Sequence, residues 1–259
     1  SISKKGVINL DDAAAEKMLA DAKCPCMTFS CGKPEADLEA TDLQLHADGV
    51  EFTAQYQGEK ADVKLPIPGH FSVENALTAL GIVLQLGMPL ADAAKSMATA
   101  TGVKGRVEVV PTDTDYTVLI DYAHSPDGVE NVLKAVRGFA KGRVVALFGC
   151  GGDRDRTKRP EMAAMAVKYA ATAIFTSDNP RHEDPESILD EMVAGLPPEA
   201  RYLRIADRGE AIRAAAMLAR PGDIVLLAGK GHETYQIVGD ERRHFDDRQQ
   251  IEHQFSIHR

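Results

Sequence analysis

The second half of the chain alternates continuous apolar runs with amphipathic stretches. Between the runs, apolar residues recur at helical spacing. Apolar strands that are separated by helices indicate βαβ units and a parallel sheet covered on both faces. The predicted strands are 116–120, 143–148, 173–176, 202–205 and 223–227. The predicted helices are 126–140, 159–169, 185–194 and 209–219. We therefore predict an α/β fold with a parallel-sheet domain.

The first half has a different pattern. Residues 50–56 alternate, turn at Gly58 and return over 61–65, which predicts a β-hairpin within a mixed, antiparallel patch. A strand at 27–30 and helices at 13–22, 73–86 and 89–100 complete this part. We place a domain boundary near residue 110, which gives domains 1–109 and 110–259. A terminal hairpin is predicted from 234–238 and 243–245.

Composition narrows the function classes. The chain has 259 residues with 44% apolar and 27% charged residues, which is typical of a soluble globular protein. A net charge of -9 argues against a nucleic-acid partner, which normally meets a basic patch. Because no apolar run approaches the roughly 18 residues of a membrane span and the N-terminus has no signal-peptide core, we expect a cytoplasmic location. The abrupt start favours a piece of a longer protein.

The cysteines do not predict a metal site. Cys24, Cys26 and Cys31 are clustered, but structural zinc sites usually combine such a pair with a second pair nearby. Cys150 stands alone, far along the chain. We interpret all four as reduced thiols.

Polar or glycine-rich loops follow four of the five predicted parallel strands. They are 121–127, 149–155, 177–181 and 228–233. In an open α/β sheet the ligand crevice lies outside the carboxyl ends of the strands, so these loops mark the site. Arg154 and Arg181 offer planar guanidinium forks for a carboxylate, while Asp178 or Glu233 suits an ammonium. Together they fit a zwitterionic amino acid.

Each loop also has a purely structural interpretation. Residues 149–152 suit a tight strand-to-helix turn, 153–155 a self-paired surface cluster, and 177–181 a proline turn with an Asn cap. His124 and His232 are more readily structural than catalytic. The fragment Gly229-Lys230-Gly231 lacks the upstream glycine and the following Ser or Thr of a P-loop, so we reject it as one.

A series of motifs runs in order through nearly the whole chain. They are VINLDD at 7–12, GHFSVENA at 69–76, GRVE at 105–108, DYAHSPD at 121–127, FGCGGDRD at 148–155, KRPEM at 158–162, SDNPR at 177–181 and AGKGHE at 228–233, followed by Tyr235 and Gln236. This ordered set resembles the Mur ligase family, and within it the tripeptide-forming, MurE-type branch.

The resemblance implies an ATP-dependent amide-bond ligase of peptidoglycan synthesis. Such an enzyme activates the carboxylate of UDP-MurNAc-L-Ala-D-Glu as an acyl phosphate, which the amine of meso-diaminopimelate then attacks. This chain would hold the tail of the ATP-binding central domain and a Rossmann-like C-terminal domain. The P-loop, most Mg²⁺ ligands and a carbamylated lysine would lie upstream, so ATP and Mg²⁺ are expected cofactors but no metal site is expected here. We expect a monomer that is inactive as this chain alone.

The resemblance also implies residue roles. Asn75, Arg106 and Asp121 match positions that contact ATP, and Arg106 is the catalytic candidate because it can stabilise charge during phosphoryl transfer. Ser72 stands where the family often has a second Asn, which puts a contact from this position in doubt. The residues that match the meso-diaminopimelate site are Arg154, Asp178, Asn179, Arg181, Gly229 and Glu233.

Other functions stay open at this point. One is a non-catalytic module that binds an amino acid or a nucleotide, which suits a chain without a P-loop. Another is a related ligase, either a lysine-adding Mur enzyme or a folylpolyglutamate-type synthetase. The D-N-P-R motif at 178–181 weighs against both related ligases, because within the family it accompanies diaminopimelate.

Overall fold

The chain forms two compact units, Ser1–Thr101 and Gly102–Arg259. The computed structural model describes residues 3–256, apart from the side chains of Phe255 and Ser256. The division lies earlier than the boundary at 110 that the sequence predicted. The reason is the three-residue strand Glu108–Val110, which pairs with a strand of the second unit.

A five-stranded mixed sheet and three helices build the first unit. The strands are β1 (Gly6–Asn9), β2 (Cys26–Ser30), β3 (Leu38–Leu45), β4 (Val50–Tyr56) and β5 (Glu59–Leu65), and they lie in that order. The helices are α1 (Ala15–Asp21), α2 (His70–Gln85) and α3 (Leu90–Met97). Pairing is parallel from β1 to β3 and antiparallel from β3 to β5. Buried apolar residues of α2, including Leu77 and Leu80, pack into the core of this unit.

The predicted hairpin of this unit is confirmed as β4 and β5, but the sheet is more than an antiparallel patch. Strand β3 was not predicted, because its alternation is broken where the register shifts between Thr41 and Gln44. Asp42 lies at that irregularity with a φ of 55°. The two parallel pairings of β2 were not predicted, because parallel neighbours are not joined by the tight turn that identifies a hairpin.

A six-stranded sheet forms the centre of the second unit. Its strands are β6 (Glu108–Val110), β7 (Thr117–Asp121), β8 (Val144–Phe148), β9 (Thr172–Phe175), β10 (Tyr202–Arg204) and β11 (Ile224–Ala228). Their order across the sheet is β10-β9-β8-β11-β7-β6. All neighbours are parallel except β6, which runs antiparallel to β7 at one edge. The predicted parallel sheet is confirmed.

Helices cover this sheet. They are α4 (Pro126–Phe139), α5 (Lys158–Tyr169), α6 (Pro185–Val193), α7 (Arg208–Leu218) and α8 (Asp247–Ser256). Helices α4, α5 and α6 pack side by side, while α7 and α8 pack together. All five residues of β8 and of β11 are buried, which explains why these strands are apolar without alternation.

Three of these helices begin at a side-chain cap. Ser125 accepts a hydrogen bond from Gly128 N, Asp184 from Ser187 N and Asp207 from Glu210 N. Such caps end the preceding loop at a defined residue. The four predicted helices of the second unit are therefore found close to their expected bounds.

The end of the chain adds a small hairpin and a helix. The hairpin pairs β12 (Tyr235–Val238) with β13 (Glu241–His244) and was predicted. Helix α8 was not predicted, because Ile251 is its single strongly apolar residue among those with described side chains, and that residue is fully buried. Within the described part of the chain, no helix has the length and apolar character needed to cross a membrane.

The strand order gathers the predicted loops. Strands β9, β8, β11 and β7 are consecutive across the sheet, and each is followed by one of the four polar loops. Since these strands are parallel, the four loops leave from the same edge of the sheet. The candidate site lies there, within the second unit.

Candidate functional site

The D-N-P-R segment is held from both sides. On one side Gly152 N donates a hydrogen bond to Asn179 O at 2.9 Å. On the other, Arg181 N donates to Ile237 O at 3.0 Å, and Gly239 N donates to Arg181 O at 2.7 Å. The segment is therefore clamped between the loop after β8 and strand β12, and it is more than the proline turn that its sequence suggested.

Glycines allow the two loops to approach each other. A Cβ at Gly149 would lie 2.2 Å from Thr176 O, and one at Gly152 would lie 1.8 Å from Pro180 O. Both distances are far below any van der Waals contact, so only glycine fits. This close approach explains these two glycines without a bound phosphate and supports the structural interpretation of 149–152.

The two arginines of the predicted site flank Gly151. A Cβ there would lie 2.9 Å from Arg181 Nη1 and 3.7 Å from Arg154 Cγ. Arg181 has a φ of 52°, is partly buried, and donates from Nη1 to Gly152 O at 2.8 Å. A left-handed backbone at a non-glycine residue is uncommon, and here it aims the side chain back across the neighbouring loop. The structure thus brings Arg154 and Arg181 together.

The suggested self-paired cluster at 153–155 does not form. Arg154 is exposed and donates from Nη1 to the backbone carbonyl of Asp153 at 3.1 Å. The Asp153 carboxylate is 2.8 Å from His182 Nδ1, and the Asp155 carboxylate accepts from Thr157 N at 3.0 Å. The guanidinium of Arg154 therefore faces solvent with its charge available for an anion.

Acidic and amide groups meet around one buried lysine. Lys230 Nζ lies 3.4 Å from Asp178 Oδ1, 3.3 Å from Asn179 Oδ1 and 3.4 Å from Glu233 Oε2. Asn179 Nδ2 also donates to Glu233 Oε2 at 2.9 Å. Lys230 is fully buried, Asp178 and Asn179 are buried, and Glu233 is partly buried. The predicted residues Asp178, Asn179 and Glu233 are thus brought into one cluster.

Burial sets the electrostatics of this cluster. It raises the pKa of Asp178, while Lys230 and then Arg208 act against that rise. Gly229 has a φ of 104°, and a Cβ there would lie 3.1 Å from Asp178 Oδ2. A side chain at 229 would therefore be strained and would press on the carboxylate. Gly229 is accounted for by backbone geometry and by space.

The three residues that were predicted to contact ATP lie in two different units. Asp121 is buried and accepts hydrogen bonds from Val107 N at 2.8 Å and Ala123 N at 2.7 Å. Burial raises the pKa of Asp121, while these two backbone donors act against the rise. Asp121 therefore caps the turn that follows β7, and a contact with ribose would use the remaining lone pairs of its oxygens.

Arg106 and Asn75 are accessible. Arg106 is exposed, with its guanidinium 5.2 Å from the centre of the Tyr122 ring. Asn75 is exposed on α2, in the first unit. Ser72 is buried and donates its hydroxyl hydrogen bond to Pro68 O at 2.9 Å, so this residue serves its own helix start.

Both histidines lie against Tyr122. The ring centres of His124 and His232 are 4.7 and 5.2 Å from that of the tyrosine. His124 Nδ1 is also 2.8 Å from Tyr122 O. These contacts favour the structural interpretation of the two histidines over the catalytic one.

Sequence reasoning missed two charged groups beside the site. Lys230 was dismissed with the P-loop fragment, although a lysine between two glycines after a buried strand, three residues before Glu233, was a signal. Arg159 is also fully buried and contacts Glu183, Glu191 and the Gly151 carbonyl. Its burial was not visible in the sequence, because arginine is usually exposed.

Comparison with known proteins identifies the family of the chain. Residues 1–83 match the model of the Mur ligase middle domain, and residues 105–231 match that of the Mur ligase glutamate ligase domain. The fold and site define a parallel α/β domain with oppositely charged groups gathered at one sheet edge. The chain belongs to the Mur ligase family.

Individual relatives are similar over nearly the whole chain. A UDP-N-acetylmuramoyl-L-alanyl-D-glutamate--2,6-diaminopimelate ligase of Trichormus variabilis is 46% identical over 248 residues, 95% of this chain and 50% of that protein. The protein of the same name from Synechococcus elongatus is 47% identical, with the same coverage. A solved structure of a ligase with this name has a TM-score of 0.78 and 39% identity, covering 98% of this chain and 53% of its own. The chain therefore spans about half the length of the curated relatives it matches.

The Gly152 contact gives a stability prediction. Gly152→Ala should destabilise the chain by at least about 2 kcal/mol, because its Cβ would overlap Pro180 O and force the two loops apart. Urea unfolding followed by circular dichroism measures this change. Gly138→Ala is the matched control: it lies in α4 with open space around it, so it should stabilise by about 0.5–1 kcal/mol. Equal effects of the two variants would contradict the proposed contact.

The Arg159–Glu183 pair gives a pH prediction. The hydrogen bond from Arg159 lowers the pKa of Glu183 from 4.5 to about 2, despite the opposing effect of burial. The stability that this group contributes is therefore fully present above pH 4.5 and is lost as the pH falls towards 2.

Glu183→Gln should consequently lower stability at neutral pH and flatten its decline on acidification over that range. Thermal unfolding from pH 7 to pH 3 measures both effects. Glu199→Gln, at an exposed position, should change neither. A parallel decline in Glu183→Gln and the unaltered chain would show that the pair with Arg159 does not lower the pKa of Glu183.

Proposed function

We propose that this chain is part of an ATP-dependent ligase that adds meso-diaminopimelate to UDP-MurNAc-L-Ala-D-Glu in peptidoglycan synthesis, in the cytoplasm and as a monomer. The observation that carries the proposal is the presence of separate positive and negative groups at one sheet edge. Arg154 and Arg181 flank Gly151 on the loops after β8 and β9, and the Asp178–Asn179–Glu233 cluster lies on the loops after β9 and β11. The names of the relatives support the same substrate.

The charges suit diaminopimelate better than lysine. Diaminopimelate carries a second carboxylate beside its second ammonium, whereas lysine has only the ammonium. A carboxylate held by Arg154 and Arg181 receives charge-assisted hydrogen bonds from planar donors. A ligand without it leaves these guanidiniums unpaired, and a polar site that is left unpaired discriminates strongly. The Asp178 and Glu233 side receives the ammonium.

The nucleotide residues have narrower roles. ATP supplies the phosphoryl group that activates the peptide carboxylate. Arg106 is free to stabilise phosphate charge, which makes it the catalytic candidate, and Asn75 offers an amide to the adenine edge. Asp121 shapes the turn beside Arg106 and offers its remaining lone pairs to ribose. The ligands of Mg²⁺ are assigned mostly to residues outside this chain.

A non-catalytic binding module is the second candidate. The observation in its favour is that no G-x-x-x-x-G-K-[ST] motif occurs in the sequence, so the chain has no recognisable triphosphate cradle. A lysine-adding ligase is less favoured, because the two arginines would then lack a partner carboxylate.

The first test concerns Arg181. In the ligase that contains this chain and the remaining domains, Arg181→Ala should raise the KM for diaminopimelate by about 10-fold or more, the cost of losing a charged hydrogen bond. The KM for ATP should change less than about 2-fold. Arg204→Ala, an arginine paired with Glu186 and Asp190, is the control and should leave both constants unchanged. Equal increases in both constants for Arg181→Ala would count against the role.

The second test concerns the chain alone. With diaminopimelate, ATP and UDP-MurNAc-L-Ala-D-Glu, the 259-residue chain should release no phosphate and form no tripeptide, because its sequence has no P-loop. Chromatography of the reaction products measures this outcome. ATP-dependent product from the pure chain would overturn the assignment of the activating residues to other domains.

A further inference from the structure

Lys230 is an unusual residue for the place it occupies. Its side chain is fully buried, and its ammonium lies 3.3 to 3.4 Å from oxygens of Asp178, Asn179 and Glu233. Taking an ammonium out of water is unfavourable, so a buried lysine needs nearby negative or polar groups that stabilise its charge. The proposed ligand contacts for Asp178, Asn179 and Glu233 do not explain why a lysine lies between them.

The contact distances distinguish Lys230 from a structural ion pair. Nearby, Arg208 and Asp247 form a buried bidentate pair, with Nε–Oδ1 at 2.7 Å and Nη2–Oδ2 at 2.6 Å. Charge-assisted hydrogen bonds are typically about 2.7–2.9 Å long. The longer contacts of Lys230 show one cation shared among three acceptors. A shared cation offsets the negative charge of the whole group and forms no dominant ion pair with a single member.

The charges around Lys230 leave the cluster with one net negative charge. Asp178 and Glu233 contribute two negative charges and Lys230 one positive charge, while Arg208 and Asp247 neutralise each other. Burial raises the pKa of the Cys150 thiol to about 12, so that thiol is neutral. Tyr235 is a neutral neighbour, with its ring centre 5.7 Å from Lys230 Nζ. One net negative charge matches one incoming ammonium.

We propose that Lys230 is a positioning residue of the amino-acid site, which keeps the Asp178 and Glu233 carboxylates ionised side by side so that they can receive the ammonium of the ligand. This inference rests on the proposed function. Without the lysine, the buried carboxylate of Asp178 and the partly buried one of Glu233 repel each other, and such a pair takes up a proton. A protonated carboxyl group no longer balances the charge of the incoming ammonium.

The direct test is a titration of Asp178 in the 259-residue chain. Carbon-13 NMR of the side-chain carboxyls, assigned with Asp178→Asn, follows its ionisation in the unaltered chain and in Lys230→Met. Because Lys230 is the main cation that opposes the effect of burial, the pKa of Asp178 should rise by about one unit or more in the variant. An unchanged pKa of Asp178 would overturn the proposal.

The second measurement is calorimetric titration with meso-diaminopimelate at pH 6 and pH 8. Relative to the unaltered chain, Lys230→Met should bind about 10-fold or more weakly at pH 6, and the deficit should be smaller at pH 8, because a higher pH opposes the uptake of a proton by the two carboxylates. A loss that is equal at both pH values would mean that the lysine only supports the fold, and would refute the positioning role. Lys168→Met, at an exposed lysine of α5, is the control and should bind as the unaltered chain does.

A second variant covers the case in which Lys230→Met does not fold. In Lys230→Ala, n-propylammonium replaces the side-chain atoms beyond Cβ and should restore the binding of diaminopimelate, whereas n-propanol should not. Equal effects of the two additives would contradict the need for an ammonium. If the unaltered chain binds no diaminopimelate, the proposed ligand is wrong, and the titration of Asp178 still decides the role of Lys230.

Discussion

The close approach of the loop after β8 to the loop after β9 is the constraint on which the site depends. Gly149 and Gly152 face backbone oxygens at distances that leave no room for a Cβ, and Gly152 N binds Asn179 O at 2.9 Å. Because these contacts join backbone to backbone, they fix the D-N-P-R segment independently of its side chains. Strand β12 fixes the other side of the same segment through Arg181 and Ile237.

Once this segment is fixed, its side chains contact two different neighbouring loops. The left-handed backbone at Arg181 sends the guanidinium over Gly151 towards Arg154, while Asp178 and Asn179 turn towards the loop after β11 and meet Lys230. Positive and negative groups are thus separated along one short stretch of chain. Because of this separation, the edge of the sheet presents positive charge for a carboxylate and negative charge for an ammonium, which complements a zwitterion.

The features that could be predicted from the sequence are those that depend on neighbouring residues in the chain. Continuous apolar runs revealed the buried strands, and the polar loops after them revealed Arg154, Asp178, Arg181 and Glu233, since strand ends of a parallel sheet share one edge. Strand β3 was missed because a bulge near Asp42 interrupts its alternation. Burial of a charged side chain depends on contacts between distant segments, and no local pattern encodes it.

Lys230 shows why the difference between local sequence patterns and tertiary contacts matters for function. In the sequence, Lys230 belongs to a Gly-Lys-Gly segment that does not complete a P-loop motif, and such a motif describes only consecutive residues. In the structure its surroundings come from the loops after two different strands, and these surroundings determine its chemistry. A buried cation that is shared by two carboxylates and an amide changes the charge that the whole cluster presents to a ligand. The charge state of the site is therefore a property of the tertiary contacts, and the same D-N-P-R motif next to a neutral residue at position 230 would present a different charge to the ligand.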